Sequence, residues 1–172
     1  MHRKNTIPSY RLPSFYAGTS HLPVTQIDSV EGKKGGKVLL TIHFVKAEFM
    51  LAFLREANDS QSVIDIFERL YLELRPDRFQ KLMPVLLADN GTEFSNPSAI
   101  ELDRQENPRT RMFYCDPSAP YQKGSAERNH ELIRCFFPKE TSLDCILLII
   151  HRNLAYTFSP NVFSVISRFI HY

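Results

Sequence analysis

Hydrophobic positions along this chain follow two different periods, and the switches between them mark its elements. Residues 24–28, Val24-Thr25-Gln26-Ile27-Asp28, form a β-type run, and residues 37–45 alternate so that Val38, Leu40, Ile42 and Phe44 share a face. Gly32-Lys33-Lys34-Gly35-Gly36 lies between them as a turn, which predicts a hairpin. Residues 49–54 supply a third short strand. The period then lengthens: Val63, Phe67, Leu70 and Leu74 fall at helical spacing behind the N-cap candidates Asn58-Asp59-Ser60, predicting a helix over 61–74. Residues 84–88 are apolar on both faces, the mark of an inner strand, and Asn90-Gly91 turns the chain after Asp89. Residues 109–115 read as another strand, 116–120 as a proline-containing loop and 124–136 as a helix ended by Pro138. This order predicts a mixed sheet flanked by helices.

The two ends have other patterns. Residues 1–21 read as an irregular arm, because Pro8, Pro13 and Gly18 break every periodicity, so a core is expected over 22–144. From Cys145 the composition changes: 145–150 is wholly apolar, and only Arg152 and Arg168 carry formal charge as far as Tyr172, which sets 145–172 apart as an atypical apolar tail. That apolar run is far shorter than the ~20 residues needed to cross a bilayer, so no membrane partner is expected. The basic start Met1-His2-Arg3-Lys4 is followed by a polar stretch, unlike a signal peptide.

With 172 residues and 43% hydrophobic side chains, the chain can bury one core without staples. Cys115, Cys135 and Cys145 form no Cys-x-x-Cys pair and leave an odd count, which argues against a disulfide framework or a zinc knuckle and fits a reducing cytoplasm. The net charge of +2 means that any nucleic-acid surface is a local patch.

The candidate chemistry is acidic. Asp28 and Asp89 emerge from apolar strands, where a carboxylate needs a partner or a cation. Glu127 falls in the last helix, with Lys123 and Glu131 at four-residue spacing on the same face. Oxygen donors of this kind suit divalent cations that activate an attacking oxygen and stabilise a leaving one. Plainer readings stand beside these: Asp89 bonding the amides of its own turn, and a solvated Lys-Glu face. Glu93, Asp116 and Glu131 are the alternative acids. His43, His130 and His151 lack Cys or His partners at zinc spacing and read as core or surface side chains. Tyr71 and Tyr121 have no accompanying Arg-His constellation, and Tyr71 lies in the amphipathic helix.

Three segments together carry a family resemblance: Gln26-Ile27-Asp28-Ser29-Val30-Glu31-Gly32; Leu87-Ala88-Asp89-Asn90-Gly91-Thr92-Glu93-Phe94; and Tyr121-Gln122-Lys123-Gly124-Ser125-Ala126-Glu127-Arg128-Asn129-His130, running on to Pro138-Lys139. The chain resembles the catalytic core of DDE transposases, most closely the insertion-sequence-thirty family, related to retroviral integrases. The resemblance implies an α/β RNase H-like fold with Asp28, Asp89 and Glu127 as an acidic triad. It further implies two Mg²⁺ or Mn²⁺ ions and metal-dependent DNA cleavage followed by strand transfer. The implied partners are DNA, at element ends and at a target, and further copies of the chain in an active homo-oligomer, on nucleoid DNA in the cytoplasm. Lys123, Arg128 and Arg134, with Lys33, Lys34, Arg109 and Arg111, are candidate phosphate contacts. Two other readings stay open. The short front arm and the altered tail suit a truncated, inactive remnant that binds only DNA or an intact partner, and an RNase H-type nuclease would cut without joining.

Overall fold

Strand β1 (Val24–Glu31) and strand β2 (Val38–Phe44) form the expected hairpin, antiparallel, with Thr25 opposite Phe44 and Glu31 opposite Val38. The turn is closed by the Gly36 N–H donating to Lys33 O at 2.9 Å, with Gly35 in the left-handed region that its lack of a Cβ allows. β1 is longer than the sequence predicted: Asp28 sits inside the strand opposite Thr41 rather than at its end, because Ser29, Val30 and Glu31 continue the ladder. Only the buried Val30 among those three carries a hydrophobic signal. The computed structural model describes residues 22–115, 130, 131, 133–135, 138–140, 143, 148–151 and 154–157, the last two segments as backbone. The arm of residues 1–21 lies outside these.

Strand β3 (Phe49–Arg55) runs antiparallel to β2 and leads to helix α1 (Ser60–Leu74). Asp59 caps α1 as the sequence predicted, its carboxylate accepting from Ser62 N at 2.7 Å, and the residues spaced for burial are buried: Val63, Phe67, Leu70 and Leu74, joined by Ile66. Two short helices were not legible. Helix α2 (Pro76–Leu82) and helix α3 (Pro97–Glu101) each open on proline, but at seven and five residues neither is long enough to establish a period. Strand β4 (Val85–Ala88) lies parallel to β1 on one side and to strand β5 (Arg111–Tyr114) on the other, the inner position that its apolar faces required. β5 starts at Arg111 rather than at 109, because the buried Arg109 and Thr110 are spent on loop contacts: Thr110 Oγ1 donates to Met83 O at 2.6 Å. Strands β6 (Leu148–His151) and β7 (Leu154–Thr157) form a second hairpin, with β6 antiparallel to β3.

The sheet order is β5-β4-β1-β2-β3-β6-β7. An antiparallel meander, β1 to β3, with two strands added parallel to β1 through helical connections, is the mixed RNase H-like arrangement. One face of the sheet packs Ile27, Leu40, Ile42, Leu51, Phe53, Leu86, Ala88 and Met112 under α1, α2 and α3. On the opposite face Val30, Leu39, Met50 and Ala52 pack with Ile133 and Leu143, and Val85, Leu87, Phe113 and Cys115 form a separate cluster. Among the described residues, no helix is long and apolar enough to cross a membrane.

Candidate metal and nucleic-acid site

The β1–β4 pairing sets the neighbourhood of Asp28 and Asp89. The parallel ladder joins Val24 to Val85, Thr25 to Leu86 and Gln26 to Leu87, so Asp28 and Asp89 each follow the last paired residue of their own segment by two positions. Ile27 enters the helix-covered core, so Asp28, the next residue of β1, belongs to the opposite face; Asp89 follows directly on the end of β4.

Each carboxylate is steadied by backbone. Ser29 N donates to Asp28 Oδ1 at 2.8 Å, and Gly91 N donates to Asp89 Oδ1 at 3.0 Å, the Asx-type bond that an Asp-Asn-Gly turn provides. Asn90 Nδ2 donates to Cys115 O at 3.2 Å, tying this turn to the end of β5. The next residues form a 3-10 turn, Thr92–Phe94, that buries Glu93 and Phe94. Gly91 cannot be another residue here without displacement: a Cβ would meet a Glu93 carboxylate oxygen, lie 2.8 Å from Glu93 Cδ and lie 3.0 Å from Asp89 Oδ1. The carboxyl groups of Glu93 and Asp89 therefore crowd the same point.

A buried cation stands near these acids. Arg55, at the end of β3, donates to Ser29 Oγ at 2.7 Å, Asn58 Oδ1 at 3.0 Å, Ser62 Oγ at 3.0 Å and Asp59 O at 3.2 Å. Burial lowers its pKa from the usual arginine value, and the charges of Glu93 and Asp59 oppose that shift. Arg55 was not anticipated from sequence, because a charged residue at a strand end reads as solvated, and the burial of Glu93, an alternative acid, was not either.

His130 is the second residue that the sequence undervalued. Its Nε2 lies 3.1 Å from Thr41 Oγ1, and its Nδ1 lies 3.9 Å from Asp28 Oδ2, with about one fifth of each of the His130 and Asp28 side chains exposed. The available signal was its place three residues after Glu127, one helical turn along. His130, Glu131, Arg134 and Cys135 line an open concavity beside this contact.

Other candidates fare differently. Glu127, Lys123, Arg128 and Asp116 lie outside the described residues, and Arg134 is half-buried next to the buried Ile133. Lys33, Lys34 and Arg111 are exposed, as a phosphate contact requires. Arg109 is not available to a phosphate. Its side chain is buried, with Nη1 2.7 Å from Glu68 Oε1, Nε and Nη2 donating to Ile100 O and Ala99 O at 2.9 Å, and its guanidinium stacked near Tyr71 and Phe79. Among the described residues no three His, Cys, Asp or Glu side chains already form a metal cluster.

The chain is similar to known proteins. The transposases InsI of insertion sequence elements IS30C and IS30A from Escherichia coli (strain K12) are 30% identical to the chain over 116 residues, 67% of its length. Its homologues are IS30-family transposases. The aligned part is 28% of each InsI protein, so the chain spans little more than a quarter of the curated relatives it matches. No family model matches it. Among solved structures, the catalytic core domain of BIV integrase aligns with a TM-score of 0.48 at 18% identity, covering 65% of this chain and 66% of that one.

Proposed function

We propose that this chain acts as the catalytic core of a DDE-type transposase, cutting DNA strands and joining them to target DNA with Asp28, Asp89 and Glu127 as its acidic triad. The observation that supports the reading is that the parallel β1–β4 ladder runs to Gln26 and Leu87, two residues before Asp28 and Asp89, in a chain homologous to IS30-family transposases. Two carboxylates, each held by a backbone N–H, supply hard oxygen donors of the kind Mg²⁺ and Mn²⁺ take. Glu127, the third acid that the family resemblance implies, lies three residues before His130 in the sequence. When bound, two such cations supply Lewis-acid polarisation of the scissile phosphate and lower the pKa of the attacking oxygen.

The protein's own part is placement. Asp28 and Asp89 present fixed negative charge where phosphate and water must meet, and the hydrogen bonds from Ser29 N and Gly91 N limit their rotation. Neither needs to act as a nucleophile. Lys123, Arg128 and Arg134, with the exposed Lys33, Lys34 and Arg111, supply attraction to the DNA backbone that weakens as salt rises. The working protein is a homo-oligomer on nucleoid DNA.

Incubating the whole chain with labelled DNA and Mn²⁺ tests this. Cleaved and joined products are expected, and Asp28→Asn, Asp89→Asn and Glu127→Gln should each lower the rate by at least about 10²-fold, the scale of losing one preorganised charge-stabilising group. Unchanged turnover in one of these variants removes that residue from the site. Cleavage without joining indicates a nuclease, and neither product indicates a remnant limited to binding.

A further inference from the structure

Arg55 carries a buried charge that packing does not call for. It follows Phe49, Leu51 and Phe53 on the helix-covered face of β3, where an apolar side chain would complete the stripe, yet it is only 3% exposed. The charges of Glu93 and Asp59 act on it, but its hydrogen bonds all go to neutral acceptors: the hydroxyls of Ser29 and Ser62, the amide oxygen of Asn58 and the backbone carbonyl of Asp59. Its Nε has no hydrogen-bond partner among the described residues. A guanidinium buried on neutral acceptors adds little to stability, since lost hydration offsets the hydrogen bonds it gains. What it supplies is position. Three of the acceptors surround the N-terminus of α1, while the fourth, Ser29, lies across β2 on β1. Arg55 Nη2 donates to Ser29 Oγ at 2.7 Å, the shortest of the four bonds, and Ser29 is the residue whose own N–H donates to Asp28 Oδ1 at 2.8 Å. One residue thus links the buried cation to the carboxylate.

We infer that Arg55 is a positioning residue for Asp28: by gripping the Ser29 side chain from the core face it fixes the backbone N–H of residue 29, and with it the rotation of the Asp28 carboxylate. The inference deepens the catalytic reading of Asp28 proposed above and rests on it. A misplacement of about 1 Å at a reacting group can cost on the order of 10²-fold in rate, so a bond one residue from Asp28 is expected to matter. A mere clamp between α1 and the sheet would use the same contacts with no effect beyond stability. The two roles part in the rate at which folded protein cuts DNA.

The test compares the whole wild-type chain with Ser29→Ala, Ser29→Thr, Arg55→Met and the Ser29→Ala, Arg55→Met double variant, by Mn²⁺-dependent cleavage of labelled DNA and by the amide proton shift of Ser29 in ¹⁵N-labelled protein. Ser29→Ala is expected to lower kcat by about tenfold with KM for DNA unchanged, and Ser29→Thr, which keeps the hydroxyl, to retain the wild-type rate. Arg55→Met should lower kcat at least as much, and the double variant no further, as two residues acting through one bond require. In Arg55→Met, where residue 29 is unchanged, its amide proton should move upfield as the bond to the Asp28 carboxylate loosens. A wild-type kcat in Ser29→Ala, losses that add in the double variant, or an unmoved amide proton overturns the assignment and leaves Arg55 a clamp. Ser29→Ala decides the question if Arg55→Met fails to fold. Wild-type protein that cuts no DNA overturns the catalytic reading instead, and the amide shift then shows by itself whether Arg55 holds Asp28.

Discussion

Glu101 shows at the scale of one residue how a side chain that serves local structure can cost stability. It lies at the end of α3, and its Oε1 accepts from Met112 N at 2.8 Å, holding β5 to the helix. Burial raises its pKa from the ordinary 4.5, outweighing that hydrogen bond and the charge of Arg111. A carboxyl whose folded pKa is raised contributes stability fully below the unfolded value and loses it as pH rises through the folded value. Glu101→Gln keeps an acceptor for Met112 without the charge. Its melting temperature should therefore exceed the wild type's at pH 7, with the gap closing below pH 4.5, measured by thermal unfolding across that range. Tyr114, pushed up to about 12 by burial and by the Glu101 charge, stays neutral throughout.

Among the elements, α1 depends on its buried stripe. Val63, Ile66, Phe67, Leu70 and Leu74 face the sheet, and Phe67 also meets the Phe79 ring of α2 edge-on, with centroids 6.4 Å apart. Phe67→Ala is expected to cost about 3–5 kcal/mol in chemical denaturation, because the closed core cannot collapse around the missing ring. Leu72 on the same helix is 66% exposed, and Leu72→Ala should stay within about 0.5 kcal/mol. The N-cap was readable from Asn58-Asp59-Ser60 because capping is a local matter; α2 and α3 were not, because tertiary packing rather than periodicity sustains helices so short.

Over the whole molecule, the sheet divides into protected and exposed strands. β1, β2 and β4 are each flanked on both sides, while β7 is an edge. Hydrogen exchange should find the amides of β1 and β2 opening only with global unfolding and those of β7 exchanging earliest. Protection of β7 equal to that of β1 would mean that its edge is covered in solution. β1 receives β2 on one side through a short turn and β4 on the other after two helices, and the second pairing ends two residues before Asp28 and Asp89.

The sequence by itself determined the meander, α1, the inner strand β4 and the mixed α/β class, because alternation, helical spacing, cap residues and turn glycines act over a few residues and leave local traces. It also singled out Asp28 and Asp89, since a carboxylate in an apolar strand is conspicuous wherever the strand goes. Only the tertiary structure decided that Asp28 lies inside β1, that Arg109 is a buried structural ion rather than a DNA contact, that the charge of Glu93 acts on a buried Arg55, and that His130 meets Asp28. Those outcomes depend on residues tens of positions apart becoming neighbours, and burial or exposure of a charge is a property of what covers it, which no local pattern records.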